Sequence, residues 1–335
     1  MVNELKKVLI LFFLIQAVLF SQPQFSSINS AVGTFSRMGF GPRGMAMGNS
    51  ISAVKEGNLV AYYNPASSVF QDDNSFNASY SFLSLDRKLN FVSFTRRFDF
   101  YSKKDTAIDR KPASTAGISA GVINSGVGKI DARDSHGFKK DEISTAENQF
   151  FVAVAIRFSN KFAAGLNVKF YHYKLYEDIS SNGLGFDVGM IYSFSDNFSC
   201  SFVITDINGK YRWDSTPIYE QEGTTTENKF PVGKKIGVAY RYPEWKILAT
   251  AEVMFDNMES RILRAGIEYN LVDKLFLRGG IDNLSLNNPD EIIRPALGFS
   301  YFRDFASVTT GIDYAFVVEP YSSSDRHIVG INIRF

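Results

Sequence analysis

The chain has 335 residues, with 36 Lys and Arg against 35 Asp and Glu, and a single cysteine, Cys200. Nearly cancelling charge without a basic block excludes the electrostatic footprint of a nucleic-acid binder, and one cysteine excludes an intrachain disulfide framework. Aromatic residues make up 15% of the chain, yet no apolar run beyond the N-terminus is long enough for a membrane-spanning helix, a combination that suits alternating strands with interfacial aromatic girdles.

The chain opens with Lys6 and Lys7, an apolar run over 8–20 and then Ser21, Gln22 and Pro23. This order predicts a secretory signal peptide over 1–22, its apolar run too short for a transmembrane anchor. Residues 31–70 do not alternate. Gly39, Gly41, Gly44, Gly48 and Gly57, followed by Tyr62 to Ala66, read as turns and short helix. Residues 39–44 match G-x-G-x-x-G in form, but no strand precedes them and no βαβ unit contains them, so they do not indicate nucleotide binding.

The run Arg43-Gly44-Met45-Ala46-Met47-Gly48 and then Tyr63-Asn64-Pro65-Ala66 resembles the N-terminal signature of FadL-type outer-membrane barrels. Within that superfamily the chain looks most like the PorV and PorQ branch associated with type IX secretion. Residues 264–269, 277–280, 311–316 and 326–335 are similar to that branch's middle hairpin and closing strands. One departure is visible: the acidic pair often found ahead of Asn-Pro-Ala is here Glu56-Gly57-Asn58. The resemblance implies an N-terminal plug or hatch, carrying Arg43, Gly44, Met45, Gly48, Asn64, Pro65 and Ala66, over 23–74.

From residue 75 onward the chain alternates. Phe162, Ala164, Leu166, Val168 and Phe170 oppose Ala163, Gly165, Asn167, Lys169 and Tyr171, and the next segment repeats the pattern from Leu184 to Phe194. About fourteen such segments predict an all-β fold, a transmembrane antiparallel β-barrel over 75–335. Tight connections at 159–160, 195–197, 243–244, 271–273 and 303–305 alternate with longer polar stretches at 124–148, 177–183, 206–231, 256–261, 283–292 and 318–325. That parity is expected of short periplasmic turns and long outer loops. A short outer connection at 86–88 and a long inner one at 99–113 break it. A soluble β-sandwich would also alternate, but does not predict the leader, the long strands and the loop parity together. The expected location is the bacterial outer membrane.

With the apolar faces toward lipid, the opposite faces line the lumen with Lys169, Asp187, Lys235, Arg241, Glu252, Arg264, Glu268, Arg278, Asp282, Arg294, Asp313 and Arg334. The mixed signs are expected to satisfy one another and a plug rather than to select an ion. Ten glycines on the same face, among them Gly165, Gly189, Gly266 and Gly280, leave space for another segment. A charge introduced at Asn167 is therefore expected to be tolerated far better than one at Val168.

Catalytic chemistry has little support. His136, His172 and His327 are not in metal-ligand spacing, no G-x-S-x-G occurs, and Asp72-Asp73-Asn74 reads as a polar turn. The chain is read as a non-enzyme without cofactor or metal. Tyr211, Arg212, Trp213 and Tyr219 in the longest outer loop are candidate contacts for a protein partner, or packing over the barrel mouth. The resemblance implies a PorV/PorQ-type component of type IX secretion that receives secreted cargo proteins, alongside other components of that system, and holds them at the cell surface. The alternative is FadL-like passive transport of a hydrophobic small molecule.

Overall fold

The computed structural model describes residues 28, 31–101, 112–176, 179–219 and 222–335. The expected signal peptide and most of the long inner connection lie outside the described residues. Fourteen strands form the barrel: β1 (Ser75–Phe82), β2 (Arg87–Phe100), β3 (Ser114–Arg133), β4 (Lys139–Arg157), β5 (Phe162–Tyr176), β6 (Ile179–Ser193), β7 (Phe198–Ile207), β10 (Gly233–Tyr242), β11 (Ile247–Asp256), β12 (Arg261–Val272), β13 (Leu275–Ser285), β14 (Arg294–Phe305), β15 (Val308–Val317) and β16 (Arg326–Arg334). Each pairs antiparallel with its neighbours, and β1 pairs with β16 from Ser75↔Arg334 to Phe82↔His327, closing the barrel. The remaining two strands, β8 (Lys210–Asp214) and β9 (Thr225–Lys229), form a separate hairpin between β7 and β10.

Closure leaves no unpaired backbone edge, the condition for a sheet to stand in lipid. The outer surface meets the second condition. On β4, Phe150, Val152, Val154 and Ile156 are exposed, as are Leu166, Val168 and Phe170 on β5 and Leu297, Phe299 and Tyr301 on β14. Aromatic rings gather at the end with the tight turns: Phe194 stacks on Phe198, and Tyr242 on Trp245 with ring centroids 5.9 Å apart. An apolar band with an aromatic girdle on a closed barrel belongs in the bacterial outer membrane, tight turns toward the periplasm.

Two expectations about loops are corrected. Residues 124–148 are not a loop, because β3 and β4 continue as a paired ladder to a tight turn at 134–138. Their sequence loses its apolar alternation there because the hairpin has left the lipid, while the hydrogen-bond ladder persists past a bulge between Val127 and Ile130. Likewise β6 begins at Ile179, so the connection after β5 is shorter than its polar composition indicates.

Most of segment 31–71 is buried inside the barrel, and Asp72 and Asp73 are exposed where it leaves for β1. It contains a 3₁₀ turn at Thr34–Arg37, a short helix at Pro42–Ala46 and a second 3₁₀ turn at Pro65–Phe70. The Asn64 side chain caps the last, accepting from the Ala66 amide at 3.0 Å and donating to the carbonyls of Ser52 and Met190. Pro65 then starts the turn, where a missing N–H costs nothing.

Candidate functional site: a plugged lumen

The plug touches the wall where the wall has no side chains. A Cβ on Gly280 would lie 2.3 Å from the Gly48 nitrogen, one on Gly266 2.4 Å from the Met47 oxygen, and one on Gly189 2.1 Å from Asn64 Oδ1. At the first two even a methyl group forces backbone to move, and at the third it displaces the Asn64 side chain that caps the 3₁₀ turn. Other lumen glycines serve rings instead: Gly185 faces Tyr171 and Gly311 faces Phe302. Met45, Gly48, Pro65 and Ala66 are buried at these contacts, and Gly44 lies against the Tyr63 ring.

Three buried charge clusters fasten this arrangement. Arg43, on the plug's short helix, donates Nε and Nη2 to the two carboxylate oxygens of Glu268, both at 2.8 Å, and Nη1 to the carbonyls of Glu56 and Asn58. Glu268 also accepts from Arg278 at 2.6 Å, and Arg278 reaches Ser300. Arg264 bridges Glu252 at 3.0 Å and Asp282 at 2.7 Å, and Asp282 accepts from Asn49 of the plug at 2.8 Å. Lys169 pairs with Asp187 at 2.8 Å and Asp206 at 2.9 Å, and its ammonium lies 4.6 Å from the centre of the Tyr62 ring. Buried ions need this saturation, since an unpaired charge in a water-poor lumen costs several kcal/mol. Bulges bring the acids in: Asp206, with a left-handed φ of 59°, and Asp282, beside Asn283 with φ 61°, lie where the β6–β7 and β12–β13 registers slip.

Of the remaining residues expected to line the lumen, Asp313 is buried and accepts from Asn332. Lys235 borders a cavity of about 40 Å³ together with Lys169, Arg264, Tyr62 and Met254. Arg334 sits with its guanidinium 4.9 Å from the Phe302 ring. Arg294 lies at the extracellular end, 3.5 Å from Glu319. Arg241 is a correction: it does not line the enclosed lumen but is exposed at the periplasmic mouth, where it pairs with Glu56, because its strand ends there. Asn167 is a second: it is fully buried and donates to Asp187 at 3.0 Å, so an arginine there would displace packed plug and wall rather than enter water.

Above the clusters the interior becomes aromatic. Phe40 of the plug stacks on Phe91 at 5.5 Å and meets Tyr62 edge-on at 4.7 Å, while Tyr62 contacts Phe151. Tyr171 and Phe230 meet at 4.7 Å, and Tyr211 lies 5.0 Å from Phe230. The β8–β9 hairpin folds over this layer. Tyr211 is fully buried, with its hydroxyl donating to Glu147 at 3.0 Å, and the Arg212 amide donates to Ser181. At the hairpin tip the Thr216 hydroxyl and amide donate to Asp214 and hold its carboxyl below the usual range. Of the four candidate partner contacts, Tyr211 is thus part of the interior and unavailable to a partner. Trp213 is half-buried against Tyr173, Arg212 is exposed, and the side chain of Tyr219 lies outside the described residues.

Mixed charges and glycines on the inward parity do not announce the aromatic interior. Phe91, Phe151, Tyr171 and Phe302 on the inward parity were the available signal, since a water-filled lumen would carry polar residues there.

No family model matches the chain, and no curated protein is similar to it in sequence. Solved structures are similar in fold. The toluene transporter TodX of Pseudomonas putida superposes with a TM-score of 0.54 at 15% identity, covering 88% of this chain and 96% of that chain. The CymD monoaromatic hydrocarbon channel gives 0.61 at 12% identity over 89% and 98%. A FadL homologue of Pseudomonas aeruginosa gives 0.51 at 9% identity over 88% and 97%. The fold is the FadL type. The first two of these are named as a transporter and a channel; the likeness shows the fold and does not show the PorV and PorQ branch.

Proposed function

We propose that this protein is a passive outer-membrane channel for a hydrophobic small molecule. The observation that carries the reading is the aromatic layer enclosed between plug and cap hairpin. A channel for water or ions needs a wetted polar path, whereas a layer built from Phe40, Phe91, Phe151, Tyr171 and Phe230 offers an apolar solute a favourable stopping place. The plug supports passive rather than open-pore transport, since the cavity at its upper face holds only about 40 Å³ and a solute must displace packed groups to pass. On the periplasmic side a vestibule of about 810 Å³, bordered by Arg43, Glu56 and Glu268, receives whatever leaves the plug. The likeness to structures named as toluene transporters and monoaromatic hydrocarbon channels supports the same class of solute.

The test is the initial rate of radiolabelled toluene uptake by cells whose outer membrane holds this protein and no other channel of the fold. Uptake above that of cells lacking it is expected; equal rates would overturn the proposal. A second reading, holding secreted proteins at the surface as the PorV and PorQ branch implies, draws support from the β3–β4 hairpin standing above the membrane with Lys139, Lys140, Asp141 and Glu142 exposed. It requires secreted proteins to co-purify with the barrel, and toluene uptake to be unaffected by its presence.

A further inference from the structure

The barrel wall is lowest where it closes. β1 has 8 residues and β16 has 9, against 20 and 19 in β3 and β4. A tilted strand needs roughly 9–11 residues to cross the hydrocarbon, so the outer ends of β1 and β16 stop at the level of the lipid headgroups. At this rim a cavity of about 210 Å³ opens between the β1–β2 turn, the loop before β16 and the plug.

The charges around it do not balance. Arg87, Arg294 and Arg326 face Glu319 and Asp325. Glu319 serves two guanidiniums, contacting Arg326 and lying 3.5 Å from Arg294, while Asp325 accepts from the Glu319 amide at 3.0 Å. Among the described residues the Arg87 guanidinium bonds only Ser84, through the carbonyl at 3.0 Å and the hydroxyl at 3.1 Å. Arg326 is 3% exposed, and its Nε has no partner among the described residues. Guanidinium donors left open around an excess positive charge fit a phosphate, which accepts several at once.

The lipid-facing surface beside the cavity is aromatic. Phe82 borders the cavity and is 52% exposed on the outer wall, in edge contact with Tyr80 at 4.7 Å. Across the pairing Phe82↔His327↔Phe316 the patch continues to Phe316 and Tyr314, whose hydroxyl meets the His327 ring at 2.7 Å. A headgroup in the notch would place its chains against these rings.

We propose that this notch is a binding site for the phosphate of a phosphorylated lipid of the outer leaflet, held by Arg87, Arg294 and Arg326 with its chains along Tyr80, Phe82 and Phe316. Arg326 also donates to the Met38 carbonyl at 3.3 Å, so the lipid sits one residue away from the plug. The site is independent of what passes through the lumen.

The test uses the purified full-length barrel in non-ionic detergent, with native mass spectrometry reading bound lipid. The probes are a phosphorylated diglucosamine lipid, the same lipid stripped of phosphate, and inorganic phosphate. One phosphorylated lipid is expected to remain bound, the stripped lipid to be lost, and Arg87→Gln/Arg294→Gln to weaken retention by about tenfold or more, the loss of at least one charge-assisted hydrogen bond. Should the double variant fail to show heat-modifiable migration, Arg87→Gln alone, which breaks no ion pair, replaces it with the same expectation. Equal retention of the stripped lipid, undiminished binding in a folded variant, or displacement by micromolar inorganic phosphate would each overturn the lipid site, the last by showing a site for free anion.

Discussion

At the scale of single residues, the attachment of the plug rests most heavily on Arg43. Its guanidinium closes a two-pronged pair with Glu268 and covers two plug carbonyls, both charged side chains being buried. Arg43→Ala leaves those carbonyls without a donor and half of the Glu268 charge uncompensated, a loss of about 3–5 kcal/mol for a broken buried pair. The expected outcome is a plug that leaves its seat: planar-bilayer conductance rises while the barrel keeps its heat-modifiable migration. Arg43→Lys keeps the charge without the fork and should fall between the two. Conductance identical to wild type in Arg43→Ala would show that the glycine-lined contacts hold the plug alone. Both partners were legible in the sequence, Arg43 by its motif and Glu268 by its inward parity. Their pairing was not, because the residues stand 225 apart and nothing local to either indicates the other.

At the scale of elements, the β8–β9 hairpin acts as a cap. Its sequence alternates Tyr211 and Trp213 against Arg212 and Asp214, a pattern that defines two faces without saying which looks inward. Packing against Tyr171, Tyr173 and Phe230 decides it. Replacing 210–229 with a short turn should leave the fourteen-strand barrel closed, since the hairpin pairs with no barrel strand, and should expose the aromatic layer to the outside. If the proposed channel function holds, uptake of toluene by cells carrying this variant becomes faster than with the intact protein. A slower rate with a folded barrel would instead make the hairpin part of the capture surface. The β3–β4 hairpin carries the complementary lesson: polar composition over 124–148 looked like a loop, but backbone pairing extends a strand beyond the lipid regardless of side-chain polarity.

At the scale of the whole molecule, closure holds the barrel together. Asn74 and Phe335 exchange backbone hydrogen bonds of 3.0 Å each, fixing the first strand against the last at the periplasmic end. Detergent cannot compete for ladder hydrogen bonds that have no free edge. The protein is therefore expected to fractionate with the outer membrane and, loaded without boiling, to migrate in detergent gels at a different position from the boiled sample. Recovery of the intact chain as a soluble periplasmic species, or identical migration before and after boiling, would contradict the barrel.

The sequence by itself determined the barrel: the two-residue period set which side chains face lipid, the parity of connections set which end carries the tight turns, and the count of alternating segments gave the strand number. Each of these is a local property, because Cβ direction in a strand depends only on position along it. What fills the barrel is not local. Asn167, which parity alone made a tolerant lumen position, is fully buried against Asp187 because plug and wall pack around it. Tyr211, by composition either a partner contact or packing over the barrel mouth, is interior because a hairpin more than thirty residues along the chain folds onto Tyr171. Only the tertiary structure decided whether the inward face meets water, plug or ring, since that depends on contacts between segments that the chain's own periodicity does not relate.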